Sequence, residues 1–333
     1  MPMNQNTSLP IKYYSSVRSK RVDWLWYPYI PYGKITVVQG DPGDGKTTLV
    51  LNLAALLSKG LPIPMTNQTL ARGKVLYQSA EDGVEDTLKP RLVKAGADCT
   101  QIAFIDDSAH PLSLDSPHLE NAILETKASM LVLDPLQAYL GESGEMNRVE
   151  GIRPMLKKLT AVADRTKCAV VIIGHMNKAA GSKGLYRGLG SIDIAATARS
   201  VLLVGRIRSN PAIRVMTHLK SSLAKEGTSI AFEIDGNAGI RWIGEYEITA
   251  DELLAGITVL DETNKVSSAE LLLCRLLGDG AKPCSQVYAA SAAENIGKRS
   301  VDSAKKNLGV KSLKYPDGWY WSLPGKGDSC VTE

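Results

Sequence analysis

From residue 34 to about residue 204 the chain alternates short apolar runs with longer stretches of mixed character. The short runs KITVVQ, KVLYQS, MLVLDP, CAVVIIGH and SVLLVG are rich in β-branched residues and nearly free of polar interruption, which predicts strands buried on both faces. The stretches between them carry helical patterns, so the expected fold class is α/β: a mainly parallel, twisted sheet with helices on both faces. After Gly205 the pattern changes. AIRVMTHLK and SIAFEIDG flank a polar turn of Lys, Glu, Gly and Ser, predicting a late antiparallel hairpin at the sheet edge.

Strand signals stop in EYEITADELLAGITVLDETNK, and from Val266 three helical segments follow: VSSAELLLCRLLGDG, SQVYAASAAENIG and KRSVDSAKKNLG. The stretch VKSLKYPDGWYWSLP then sets a PDG turn between two extended runs. Three short helices closed by a hairpin predict a small C-terminal winged helix-turn-helix domain. The expected division is a flexible arm at 1–20, a core domain at 21–245, a linker at 246–264, the winged helix at 265–323 and a flexible tail at 324–333.

Composition narrows this little. With 333 residues, 44% hydrophobic and 22% charged, the chain can build one large core plus an accessory domain, or two ordinary domains. A net charge of +4 permits a polyanionic partner without demanding one. The five cysteines, Cys99, Cys168, Cys274, Cys284 and Cys330, follow no metal-ligand spacing, and their expected state is reduced. The start MPMNQNTSLP lacks the pattern of a secretory leader, and no apolar run reaches the ~20 residues of a membrane helix. A cytoplasmic protein without membrane attachment is the expectation.

The chemistry starts at QGDPGDGKTTLVLNLAALL. Gly40, Asp41, Gly43, Asp44, Gly45, Lys46 and Thr47 fit G-x-x-x-x-G-K-[ST], between a predicted strand at Ile35 to Gln39 and a predicted helix at Thr47 to Leu57. In such a P-loop the glycines let backbone N–H groups curl around phosphate, Lys46 reaches the β and γ oxygens, and the Thr47 hydroxyl ligates Mg²⁺, with Thr48 next in the helix. ATP and Mg²⁺ are the expected cofactors. The second metal ligand is Asp134, after the apolar residues of SMLVLDP; an Asp that merely caps the next segment is the competing reading.

Hydrolysis needs a group to orient water. Pro135 follows Asp134, so no adjacent glutamate is available, and KVLYQSAED offers Glu81 instead, which with Asp82 follows a strand expected beside the P-loop strand. A solvated loop acid is the alternative. CAVVIIGHMNK ends with His175 and Asn177, polar groups where a γ-phosphate would be sensed.

With these pieces in order, Val22 to Ile243 resembles the RepA-like and DnaB-like branch of the RecA superfamily, the ring-forming replicative helicases. The residues that carry the resemblance are YPYIPYGKITVVQGDPGDGKTT, VLYQSAEDGVEDTLKPRL, LVLDPLQAYL, VVIIGHMNK, YRGLGSIDIAATARSVLLV and THLKSSLAKEGTSIAFEI, six motifs in the family's order. It implies a RecA-like P-loop ATPase core, a homo-hexamer, and ATP at each subunit interface. It also implies that Arg199 in ATARS is an arginine finger reaching a neighbour's nucleotide, a contribution on the order of 10³ to 10⁵ in rate, and that Lys220 in HLKSS is the basic residue of the late hairpin that also reaches across. Ser222 stands where the branch places a second basic residue. Arg91 matches a family arginine near the nucleotide base.

The resemblance further implies single-stranded DNA in a central channel, along LQAYLGESGEMNRVEG and NKAAGSKGLYRGLG; the second carries Lys178, Lys183 and Arg187 with no acid among them. A flexible solvated loop is the alternative. Between residues 295 and 315 the winged-helix region sets Lys298, Arg299, Lys305, Lys306, Lys311 and Lys314 against Asp302. Arg299, Lys305 and Lys306 fall on its expected recognition helix, where duplex DNA would lie; a protein-docking module is the alternative. Trp319, Tyr320 and Trp321 are expected to pack the wing onto its own core. The leading expectation is a DNA helicase of a plasmid, phage or integrated element. A recombination or repair ATPase, or a nucleotide-sensing DNA-binding regulator, are the alternatives.

Overall fold

The apolar runs become the strands of one sheet because residues of both parities along each run find a hydrophobic partner. A computed structural model describes residues 11–63, 65–66, 69–108, 111–140, 149–176, 192–236, 239–256, 259–294, 296–316 and 318–324. Strands β1 (Trp24–Trp26) and β2 (Ile30–Pro31) form a small antiparallel pair, and β3 (Ile35–Gly40) leads into helix α1 (Lys46–Lys59). Strand β4 (Lys74–Ser79), a π-helical turn (Val84–Leu88), α2 (Lys89–Lys94), β5 (Ile102–Ala103), α3 (Pro117–Thr126) and β6 (Ala128–Asp134) follow. Then come α4 (Val149–Thr166), β7 (Ala169–His175), α5 (Ile192–Thr197), β8 (Ser200–Ile207), β9 (Asn210–Ser221), β10 (Ile230–Asp235) and β11 (Gly239–Glu245).

Among the described residues nine strands make the main sheet, in the order β11-β10-β9-β8-β3-β7-β6-β4-β5. The strands from β8 to β5 are parallel, whereas β9, β10 and β11 are antiparallel additions. Val38, Tyr77, Val132 and Val171 face Leu49, Leu53 and Leu57 of α1. Their neighbours Val37, Leu76, Leu131 and Val170 face Leu119 of α3 and Leu156 and Leu159 of α4. Burial on both sides explains the unbroken hydrophobicity of these strands. The aromatic run before the P-loop closes the first of these faces: Trp26 is fully buried and meets Trp242 edge-on at 5.9 Å.

Two expectations change. The strand that leads to Glu81, β4, does not lie beside β3; β7 and β6 stand between them. The stretch expected to be a linker, 246–264, contains helix α6 (Ala250–Ala255) and the start of α7 (Val259–Leu277). Ile248 and Leu253 are buried against Leu203 of β8 and Val215 of β9, and a Thr249–Glu252 capping box starts α6. A six-residue helix has too few turns to print a helical period in the sequence, which is why it read as a linker.

The C-terminal region continues with β12 (Lys282–Pro283), α8 (Cys284–Ala293), α9 (Lys298–Asn307), β13 (Lys311–Tyr315) and β14 (Gly318–Ser322). The last two strands pair antiparallel from Lys311 with Ser322 to Tyr315 with Gly318, and β12 joins β14 on its other side. Leu272, Leu273, Val287, Val301 and Trp321 form its own core. Of the aromatic triplet expected on that core only Trp321 is buried; Trp319, two residues earlier and so on the same face of β14, is 53% exposed, because it lies near the hairpin tip, beyond the stretch that β12 pairs with. No helix of the described residues is long and apolar enough to cross a membrane.

Candidate active site

Strand β3 ends where its backbone nearly touches β8. A Cβ added at Gly40 would stand 2.1 Å from the carbonyl oxygen of Val204, so no other residue fits. Gly43 and Gly45 adopt φ of +81° and +95°, conformations glycine enters without steric cost. The loop turns the chain into α1, which starts at Lys46, one residue before its expected start, with no side chain capping it. Its first-turn N–H groups are thus directed at the loop, a ready anion site.

Lys46 is buried, and its ammonium donates to the carbonyls of Gly40 at 3.0 Å and Asp41 at 2.9 Å. Burial pushes its pKa down, against the pull of nearby carboxylates. The Thr47 hydroxyl donates to Asp134 Oδ2 at 2.9 Å, and the Tyr77 hydroxyl donates to the same oxygen at 3.0 Å. Burial raises the Asp134 pKa, and these two hydrogen bonds oppose the rise. A hydroxyl and a carboxylate sharing one spot beside the loop lysine are the hard oxygen donors Mg²⁺ takes, with substrate phosphates supplying others. Among the described residues no group of three or more His, Cys, Asp or Glu side chains could hold a metal. A cation here would therefore depend on Thr47, Asp134 and the ligand. Tyr77 was not singled out from the sequence, since a tyrosine in an apolar strand carries no motif.

Glu81 reaches the site although its strand is remote. The Ala80 N–H donates to the Asp134 carbonyl at 3.0 Å, which folds the chain over the end of β6. There Glu81 Oε2 lies 3.6 Å from His175 Nε2. His175 is the register partner of Gly40, so carboxylate and imidazole both stand beside the P-loop. Arg91 pairs with Asp82 at 2.8 Å and lines a cleft with Thr48, Ile234 and Gly239, next to the P-loop helix.

Arg199 and Lys220 lie elsewhere. The Arg199 N–H donates to the Ile35 carbonyl, at the opposite end of β3 from Gly40. That strand length is about 17 Å at ~3.3 Å per residue. Lys220 neighbours it and donates to the carbonyls of Ala195 and Ala198, each at 2.8 Å, capping the end of α5. Neither side chain belongs to the P-loop of its own chain.

Two other arginines do. Arg206 Nε is 3.3 Å from Asp44 Oδ1, and the Arg206 guanidinium also donates to the Gly43 carbonyl. Arg214, its register partner on β9, lies against Gly45. No motif marks them; only the β8–β9 pairing brings them to the loop.

Of the expected DNA contacts, Lys178, Lys183 and Arg187 lie outside the described residues, as does Asn177. On α9, Arg299 and Lys306 are exposed. Lys305 instead lies over the Trp321 ring at 4.2 Å and donates to Ser312 at 2.7 Å, turned onto its own hairpin.

A family model described as AAA domain, AAA_25, matches residues 7–181, just over half of the chain. The chain belongs to this AAA domain family. The match spans the P-loop, Glu81, Asp134 and His175. Among curated proteins, this AAA domain chain is similar to the DNA repair protein RadA of Bacillus subtilis (strain 168), 30% identical over 149 residues, 44% of this chain and 28% of that protein. The RadA of Streptococcus pneumoniae is 25% identical over 228 residues, 68% of this chain and 48% of that protein. The chain thus spans less than half the length of either relative. A solved KaiC-like protein of Pyrococcus horikoshii aligns at 18% identity and a TM-score of 0.49, over 64% of this chain and 91% of that one. The α/β core is a mostly parallel sheet covered by helices on both faces, with the P-loop between β3 and α1.

Proposed function

We propose that this AAA domain protein hydrolyses ATP with Mg²⁺ and uses the cycle to remodel DNA complexes, as a recombination or repair ATPase. The observation that carries the reading is the convergence of Glu81 and His175 beside a P-loop whose Thr47 already bonds Asp134. Similarity to DNA repair proteins named RadA supports the DNA side of it.

Lys46 and the α1 N-terminus hold the phosphates, Thr47 and Asp134 hold Mg²⁺, and Arg91 and Thr48 border the base. Glu81 accepts a proton from the attacking water and His175 reports the γ-phosphate. Bound Mg²⁺ supplies charge neutralisation at the β and γ oxygens. Because Arg199 and Lys220 sit at the far end of β3, they act on the nucleotide of a neighbouring copy. The proposed assembly is therefore a homo-oligomer. Single-stranded DNA is the substrate of the loop with Lys178, Lys183 and Arg187, and the C-terminal domain is a winged helix that meets duplex DNA through Arg299 and Lys306.

The motif order of the ring helicases, from YPYIPYGKITVVQ to THLKSSLAKEGTSIAFEI, favours a second reading, a hexameric replicative helicase. Electron microscopy on DNA and strand displacement of a forked duplex separate the two. Open filaments and ATP-dependent remodelling without unwinding support the repair reading. Closed six-fold rings that unwind the fork in an ATP-dependent manner support the helicase and contradict it.

A further inference from the structure

The P-loop contains a carboxylate where it is about to meet an anion. Asp44 sits among the residues that cradle phosphate, its side chain 13% exposed. One carboxylate oxygen accepts from the Asp41 N–H at 3.1 Å. The other faces Arg206 Nε at 3.3 Å. The same guanidinium donates to the Gly43 carbonyl, and a Cβ at Gly43 would stand 2.7 Å from Arg206 Nη2. Arg214 stands opposite Arg206 across the β8–β9 ladder, and its Cδ would be 3.0 Å from a Cβ at Gly45.

Two like charges opposite each other on a ladder repel, and a carboxylate inside a triphosphate site repels the ligand. Each problem answers the other. Lys46 cannot neutralise Asp44 and hold phosphate at once. Arg206 is always charged, and it stands on β8, inside the sheet between β3 and β9. We infer that Arg206 is a positioning residue for the nucleotide: it neutralises Asp44 and pins the Gly43–Asp44 peptide, so that the loop presents its N–H groups and Lys46 to the phosphates without an opposing charge. This rests on the P-loop binding ATP.

The experiment is a titration of the full chain with a fluorescent ATP analogue and Mg²⁺, across the wild type, Arg206→Ala, Arg206→Lys and the double variant Asp44→Asn with Arg206→Ala. A charged hydrogen bond of this kind predicts 10- to 100-fold weaker binding for Arg206→Ala, on the order of its usual worth. Arg206→Lys, which keeps the charge and loses the fork, falls between. Removing the carboxylate as well restores binding to within about threefold of the wild type, a rescue that a merely structural arginine would not give. Arg206→Ala binding as tightly as the wild type, or a double variant as weak as the single one, overturns the inference while the ATP reading stands. A wild type that binds no nucleotide overturns both.

Discussion

Glu81 Oε2 lies 3.6 Å from His175 Nε2 although their strands, β4 and β7, are separated by β6. The pair is held by the turn that Ala80 makes onto the Asp134 carbonyl. If Glu81 takes the proton from the attacking water, Glu81→Gln keeps nucleotide affinity and lowers turnover by roughly 10²- to 10⁴-fold, the usual worth of a general base. Binding and single-turnover hydrolysis measured side by side check this; parallel loss of both would make Glu81 a binding residue instead.

Arg199 and Lys220 stand at the end of β3 away from the P-loop. On the proposed reading, their contribution to catalysis comes from another subunit. Arg199→Ala and Lys46→Ala are each expected to be inactive alone and to recover activity when mixed, because some interfaces pair an intact P-loop with an intact Arg199. Hydrolysis assays across mixing ratios read this directly, and a flat line at zero counts against the trans assignment.

His218 is 4% exposed, stacks on Tyr29 at 4.9 Å, and accepts from the Gly227 N–H at 3.0 Å. Burial lowers its pKa from 6.5 to about 4. The folded state thus holds the neutral ring, and the unfolded chain takes up the proton first as pH falls. Its stabilising contribution is complete above pH 6.5 and lost as pH falls toward 4, up to roughly 3 kcal/mol by linkage. Urea unfolding at pH 7.5 and 4.5 is expected to show a smaller acid loss for His218→Gln than for the wild type.

In the C-terminal domain Trp321 is 4% exposed and Trp319 is 53% exposed. Trp321→Ala is expected to cost roughly 3–5 kcal/mol, read by thermal unfolding of the C-terminal domain. Trp319→Ala changes stability by less than about 0.5 kcal/mol. Equal effects would mean the two rings share one environment.

The P-loop was legible because strand, loop and helix are contiguous in sequence and each glycine answers a local backbone demand. Asp134 was legible as the end of a buried run. Glu81 was found by its chemistry, but its strand was set in the wrong place, since hydrophobic pattern marks a strand without giving its neighbours. Tyr77, Arg206 and Arg214 were missed for a related reason: their roles exist only once strand order and hairpin register are known. The six residues of α6 are too few to leave a helical period, and the different burial of Trp319 and Trp321 depends on where β12 pairs with β14, which no local pattern carries.

Steady-state ATP hydrolysis with Mg²⁺, with and without single-stranded DNA, bears on the central claim most directly. The expected result is turnover by the wild type that rises with single-stranded DNA and disappears in Lys46→Ala. A wild type that binds ATP but turns none over in either condition, or a Lys46→Ala variant as active as the wild type, would contradict it.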